Sequence, residues 1–420
     1  MWLLSAVALA GPPATAVRAY GDVVVTWDDD RGLAAFAAAD GAPRWTRTLV
    51  DRPYGWQPLG ALAGDIVPDS TPATRIALDG SAAAPLDFGP RSRCAVLQAE
   101  GAAALSCIDH FSALDPQTGA LFGPSYPLAP TCHASGGDVE RLCTYDGPAP
   151  VPVARRGGVT VLFGEEPHIE PPGRMLVGIA ADGREAWRVS LAGGVEAGAH
   201  GELCWAAAPD GVVAVDCASG AARWRASLDG FRQFSSTDAG IVAVGEAAAL
   251  CLDWDDGHVL WTVPAAPGER VVVASFRSVQ DPLSGEPGLP LVAAGPSVVR
   301  LVDVASGAPV ARLTLAEADV LFGTPWGFVR RSTAGATRLL GPTFAELARL
   351  DLDDSAYVHL AADDTWLVIT LYKRTWLVDR RTGKVRKRLD GQYHPVWFGG
   401  GRVVLHRPPL GDGGEVVFLP

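Results

Sequence analysis

The sequence predicts an all-β protein, a β-propeller of four-stranded blades, and three observations predict it. A corner of Asp, a few residues and Gly recurs along the chain, often followed by Trp. The corner glycines fall at near-constant spacing. Between them lie short segments of alternating apolar and polar residues with no sustained helical period. A chain of 420 residues could hold two or three ordinary domains, or one body of repeats. The regular spacing favours repeats.

Taken in chain order, the first element is Met1 to Ala16. Trp2 to Ala10 is apolar and Ala14-Thr15-Ala16 is a small-x-small cleavage site, so residues 1–16 are expected to be a signal peptide. The segment carries no Lys or Arg, which leaves a buried first strand as the other reading. No cysteine follows the apolar run, so no lipid anchor is expected, and no stretch of about 18 unbroken apolar residues predicts a membrane helix. Residues 17–420 read as a single propeller domain with an inserted hairpin at about 129–148.

The corners come next. Clear copies are Phe36 to Trp45, Ala113 to Gly119, Ile179 to Trp187, Val213 to Trp224, Leu252 to Trp261, Leu301 to Gly307 and Leu377 to Gly383. Gly41, Gly80 and Gly119 are spaced by 39, and Gly183, Gly220 and Gly257 by 37. Gly307 to Gly383 is 76, two units of 38, with a degenerate copy near Thr343 between them. The longer gaps, 64 after Gly119 and 50 after Gly257, imply insertions, the second at Val279 to Leu289. Nine corners and a final partial unit are legible, and the reading settles on about eight blades within a range of seven to ten. If the last unit lacks a strand, an N-terminal segment is expected to complete it. Each residue type in the corner has a physical role. Asp accepts backbone N–H bonds, Gly takes positive φ, and Trp packs between sheets. A single sheet cannot bury both of its faces, and stacking sheets radially solves that.

Six of the seven cysteines form close pairs flanking turn signals: Cys94 with Cys107, Cys132 with Cys143, and Cys204 with Cys217. Residues equidistant from a hairpin turn face each other at about 4.5–5.5 Å between Cβ atoms. Three hairpin disulfides and a free Cys251 are therefore expected, which implies an oxidising compartment. Buried reduced cysteines are the alternative. No CxxC spacing suggests zinc.

A formal charge of −12 argues against a nucleic-acid partner or an anionic membrane surface. One segment departs from it: Lys373, Arg374, Arg380, Arg381, Lys384, Arg386, Lys387 and Arg388, read as a solvated outer strand and its turn rather than a polyanion site. Those three lysines are the only ones, and asparagine is absent, as GC-rich bacterial coding would give; the absence also removes any N-glycosylation sequon. No Gly-x-Ser-x-Gly elbow, P-loop or HExxH pattern occurs. Glu165, Glu166, His168 and Glu170 are the one weak metal candidate, more simply a solvated acidic loop. Asp28 to Asp30 and Asp353-Asp354 read as turns.

The A-L-D-x-x-T-G-x-x-x-W pattern, carried by Ala113 to Gly119 and by Asp216 to Trp224, resembles the repeat of the quinoprotein (PQQ) propeller family. The resemblance covers nearly the whole chain after residue 16. It implies one of two roles, since the family includes periplasmic PQQ dehydrogenases and a non-enzymatic propeller of the outer-membrane β-barrel assembly machine. The dehydrogenases carry a disulfide between adjacent cysteines and an asparagine in their calcium site; this chain has neither Cys-Cys nor Asn. The expectation is an exported, non-catalytic, monomeric propeller, periplasmic or secreted, that binds or scaffolds a protein in the bacterial cell envelope without a cofactor. The alternative is a quinoprotein-type redox enzyme or small-ligand binder using the central funnel.

Overall fold

The computed structural model describes residues 7–8, 16–28, 32–48, 59–62, 64–68, 74–86, 94–99, 101–107, 110–127, 131–134, 141–144, 151–165, 174–191, 196–208, 210–228, 230–245, 247–267, 269–273, 291–294, 297–316, 319–324, 327–331, 336–351, 358–363, 365–371, 374–407 and 414–419. Among them every regular element is a strand. The all-β expectation holds.

The strands form ten four-stranded sheets and one two-stranded hairpin. In chain order the sheets lie within residues 16–47, 59–85, 94–127, 151–191, 196–227, 231–264, 270–314, 320–351, 358–390 and 394–419. In the first nine, four strands consecutive in the chain pair antiparallel with their neighbours. The tenth has three such strands, and the short strand Val7–Ala8 takes the fourth place beside Glu415–Leu419, with Val7 opposite Phe418 and Ala8 opposite Val417. An N-terminal segment therefore completes the last sheet. The ten four-stranded sheets among the described residues fall within the range of seven to ten blades read from sequence.

The chain divides into two compact units. One comprises Met1–Arg52, Val244–Cys251 and Trp261–Pro420, the other Pro53–Ala243 and Leu252–Leu260. The second unit holds the sheets of residues 59–85, 94–127, 151–191 and 196–227. Its largest core joins Val161, Phe163 and Leu176 of one sheet to Cys204, Ala206, Val213 and Val215 of the next. The first unit holds the sheets of 16–47, 270–314, 320–351, 358–390 and 394–419. There Val368 and Leu377 pack on Tyr393, Val403, Leu405 and Val417.

Burial within a sheet follows strand position. The central strands Arg174–Ile179 and Gly211–Asp216 are almost wholly buried, whereas the fourth strands Ala222–Ser227, Pro309–Thr314 and Val385–Asp390 are mostly exposed or half-buried, buried Trp224 apart. Central strands meet neighbouring sheets on both faces and so read as continuous apolar runs; fourth strands meet solvent.

The hairpin Thr131–Ala134 with Arg141–Thr144 lies outside the four-stranded sheets, between the third and fourth. The segment Val279 to Leu289, read as an insertion, lies outside the described residues.

Candidate functional site

The corner between the third and fourth strands is the most repeated local structure, and two forms of it occur. In the longer form Asp precedes Gly by four residues. Gly220 N–H donates to the Asp216 carbonyl at 2.8 Å and Asp216 N–H to the Ala221 carbonyl at 2.9 Å. Asp216 Oδ1 accepts from Ser219 N–H at 3.0 Å, and its Oδ2 takes Arg223 Nη2 at 2.8 Å. Asp379 repeats this with Thr382 N–H at 2.9 Å and Arg386 Nη2 at 2.8 Å. These bonds, the arginine's foremost, hold both carboxyls down at about 2. In the shorter form Asp adjoins Gly, as Asp40 accepting from Ala42 N–H at 3.0 Å and Asp182 from Arg184 N–H at 3.0 Å. The corner of the eighth sheet has Gly341 at its first position but no glycine at its positive-φ position. Phe344 takes the positive φ instead, at +66°.

The corner glycine sits on a side chain of the preceding sheet. A Cβ on Gly220 would lie 2.3 Å from Trp187 Cγ, one on Gly257 2.5 Å from Trp224 Cε3, and one on Gly307 2.8 Å from Trp261. Trp224 Nε1 then donates to the Trp254 carbonyl at 2.9 Å and Trp261 Nε1 to the Val304 carbonyl at 3.1 Å, both within the next sheet's corner. The corner tryptophans are thus fasteners between sheets, as their expected structural role requires.

The cysteines occupy paired positions. Cys204 and Cys217 are bonded, with Cα atoms 5.0 Å apart, and Cys251 is a buried thiol outside that bond. The geometry corrects the hairpin argument at this pair. Cys204 stands opposite Val215 in the ladder, not Cys217. Cys217 lies one residue beyond the end of its strand, where its N–H bonds the Glu202 carbonyl at 2.9 Å and brings it diagonally onto Cys204. For the other two pairs the backbone register is direct, Cys94 opposite Cys107 and Cys132 opposite Cys143.

Of the acidic candidates, Glu165 ends the strand Val159–Glu165, opposite Arg174. Glu166, His168 and Glu170 lie outside the described residues, as do Asp29, Asp30, Asp353 and Asp354. A different trio was not singled out from sequence: ligand atoms of Asp253, Asp256 and His258 lie within 4.8 Å of one another. They belong to the long corner of the sixth sheet. Asp253 Oδ1 accepts from Asp255 N–H at 2.7 Å, and Asp256 Oδ1 from His258 N–H at 3.0 Å and from its ring Nδ1 at 2.5 Å. Those bonds lower the Asp256 carboxyl and raise the His258 ring, and the turn's own donors account for the carboxylates.

What each sheet leaves available is its fourth strand. Every exposed large aliphatic side chain among the described residues lies near the start of one: Val259, Leu260, Val310, Leu347 and Val385. The signal was present in sequence, two or three residues after each corner, but exposure there follows from strand order, which the motif does not state. These strands are also sheet edges, with one side of the backbone unpaired within their sheet. The geometry suits recognition by an added strand or by side chains reaching along an edge.

Comparison with known proteins gives the same architecture. The family described as outer membrane protein assembly factor BamB matches residues 175–416. No curated protein matches the sequence. Among solved structures, BamB from Moraxella catarrhalis aligns at 15% identity over 77% of this chain and 96% of its own, with a TM-score of 0.42. A eukaryotic initiation factor aligns at 8% identity over 83% and 88%, with a TM-score of 0.54. Apo AztD from Citrobacter koseri aligns at 12% identity over 91% and 95%, with a TM-score of 0.41. No helix of the described residues is long and apolar enough to cross a membrane.

Proposed function

Because the chain belongs to the family described as outer membrane protein assembly factor BamB, we propose that it is an exported, non-catalytic β-propeller that binds or scaffolds a protein partner in the bacterial cell envelope. The family match over residues 175–416 carries this reading. The edge geometry supports it, since fourth strands with exposed aliphatic residues give a partner both backbone groups and side chains to engage. The Cys204–Cys217 bond supports export, because structural disulfides persist in oxidising compartments. On the same reading residues 1–16 are removed as a signal peptide, residues 17–420 form one domain, and Cys94–Cys107 and Cys132–Cys143 are bonded as well. The chain itself is monomeric and needs no cofactor.

The test is fractionation of the native host followed by isolation of the chain under non-denaturing conditions and intact-mass measurement. The expected result is an envelope protein that begins at Val17, carries three disulfides and co-purifies with one partner in fixed ratio. A cytoplasmic chain with seven free thiols would overturn export. Stoichiometric uptake of added PQQ with calcium would move the assignment to a quinoprotein-type enzyme.

A further inference from the structure

Charge is distributed unevenly in this chain. Its net charge is −12, yet residues 373–388 hold eight Lys or Arg and a single acidic residue, Asp379. In the ninth sheet this segment supplies the whole strand Arg374–Asp379, the corner, and the first four residues of the outermost strand Val385–Asp390. Several of the cations serve the fold. Arg386 holds Asp379, Arg380 donates to the Asp363 carbonyl at 2.8 Å, Arg388 lies over the Trp376 ring at 5.9 Å, and Arg374 faces Asp390 at 3.7 Å. Arg381, Lys384 and Lys387 differ: among the described residues no carboxylate pairs with them, and Arg381 and Lys384 are exposed. They border an edge strand whose outer side has no ladder partner in its sheet, and Val385 on it is 40% exposed.

We propose that the Val385–Asp390 edge takes up an acidic, extended segment of a partner protein as a fifth strand, with Arg381, Lys384 and Lys387 pairing its carboxylates. This deepens the protein-binding reading and rests on it. Charge selects the occupant. Lysine on an edge strand repels a second copy of the same basic strand, so self-pairing is disfavoured while an acidic strand gains both ladder bonds and ion pairs. Backbone chemistry selects a peptide over a polynucleotide. The six-residue edge presents N–H and C=O groups over roughly 20 Å at strand spacing. Single-stranded nucleic acid needs an aromatic platform, and the tryptophan here, Trp376, is buried under Arg388.

The test is fluorescence anisotropy with the full-length protein and labelled eight-residue probes: alternating Glu-Val, alternating Gln-Val, the Glu-Val peptide N-methylated at alternate amides, and a single-stranded oligonucleotide. The Glu-Val peptide is expected to bind, more weakly as salt is raised, with the Gln-Val and N-methylated forms at least about tenfold weaker. The triple variant R381E/K384E/K387E should weaken it at least about tenfold with an unchanged thermal melt, as should the milder Lys387→Gln in part. Arg225→Glu, on the fourth strand of the fifth sheet, should leave it unchanged. Equal binding of the Gln-Val probe, indifference to N-methylation, or tighter binding of the oligonucleotide would overturn the proposal. Native isolation separates the two levels. If the triple variant keeps the wild-type's partner at full ratio, the edge is wrong and the scaffold reading stands; if the wild-type has no partner, the scaffold reading itself fails.

Discussion

The corner aspartates do their work as anions. Asp216 and Asp379 each accept backbone, side-chain and arginine donors within one turn, and their carboxyls sit at about 2 rather than near the usual 3.9. A carboxyl depressed on folding stabilises the native state fully above its unfolded value, and that contribution is lost as pH falls through the folded one. Acid titration from pH 5 to 2, followed by circular dichroism, should therefore destabilise the wild-type more steeply than the double variant Asp216→Asn, Asp379→Asn. Asp216→Ala at neutral pH should cost about 1 kcal/mol, the typical worth of a lost cap. The aspartates were legible because the turn demands that residue type. Phe344 was not: it occupies a corner position at φ +66° while packing on Phe328 at 4.6 Å between ring centroids, so burial overrides the backbone preference that would have flagged the site.

Sheets are fastened to one another by a side chain set into the space a glycine leaves. Trp187 lies where a Cβ of Gly220 would stand, and Gly220 itself holds φ +70°. Gly220→Ala should cost about 2 kcal/mol or more, from strain and overlap together. Trp187→Ala should cost about 2–3 kcal/mol, below the core-aromatic range because the ring is only partly buried. Since removing the ring makes room for the methyl, the double variant should cost less than the sum by about 1 kcal/mol in denaturant melts; strict additivity would separate the two residues. A second fastener acts within a sheet. The Cys204–Cys217 bond spans a separation of 13 residues, a loop whose closure is worth about 3 kcal/mol, so Cys204→Ser/Cys217→Ser should lower stability by that order. Sequence spacing made the pairing of these cysteines legible, but not its diagonal geometry, because the step that carries Cys217 onto Cys204 occurs just past the strand end, where hairpin symmetry no longer applies.

At the scale of the molecule, the repeat was legible as nine corners and a final partial unit, but how that last unit is completed was not. Nine corners announce nine third-to-fourth strand turns, whereas the tenth sheet is assembled from chain ends that share no motif: Glu415–Leu419 and, beside it, Val7–Ala8. The fourth-strand surface escaped the motif reading for a related reason, since exposure depends on where a strand falls in its sheet and the corner fixes only where it begins. The tenth sheet also sets the meaning of the N-terminus. Val7–Ala8 makes two register pairs with Glu415–Leu419, while that strand makes five with Arg402–Arg407. Phe418, by contrast, belongs to the core with Val24, Ala38 and Val404 and packs against Gly41, so the last strand is held chiefly by residues beyond position 16. Removal of residues 1–16, as the export reading requires, would then leave Glu415–Leu419 as the sheet edge at little cost. A chain beginning at Val17 should unfold within a few degrees of the full-length protein, since a two-residue strand contributes on the order of 1 kcal/mol. A fall of about 10 °C or more on that deletion would make Val7–Ala8 a retained part of the fold, and cleavage at Ala16 would then be untenable.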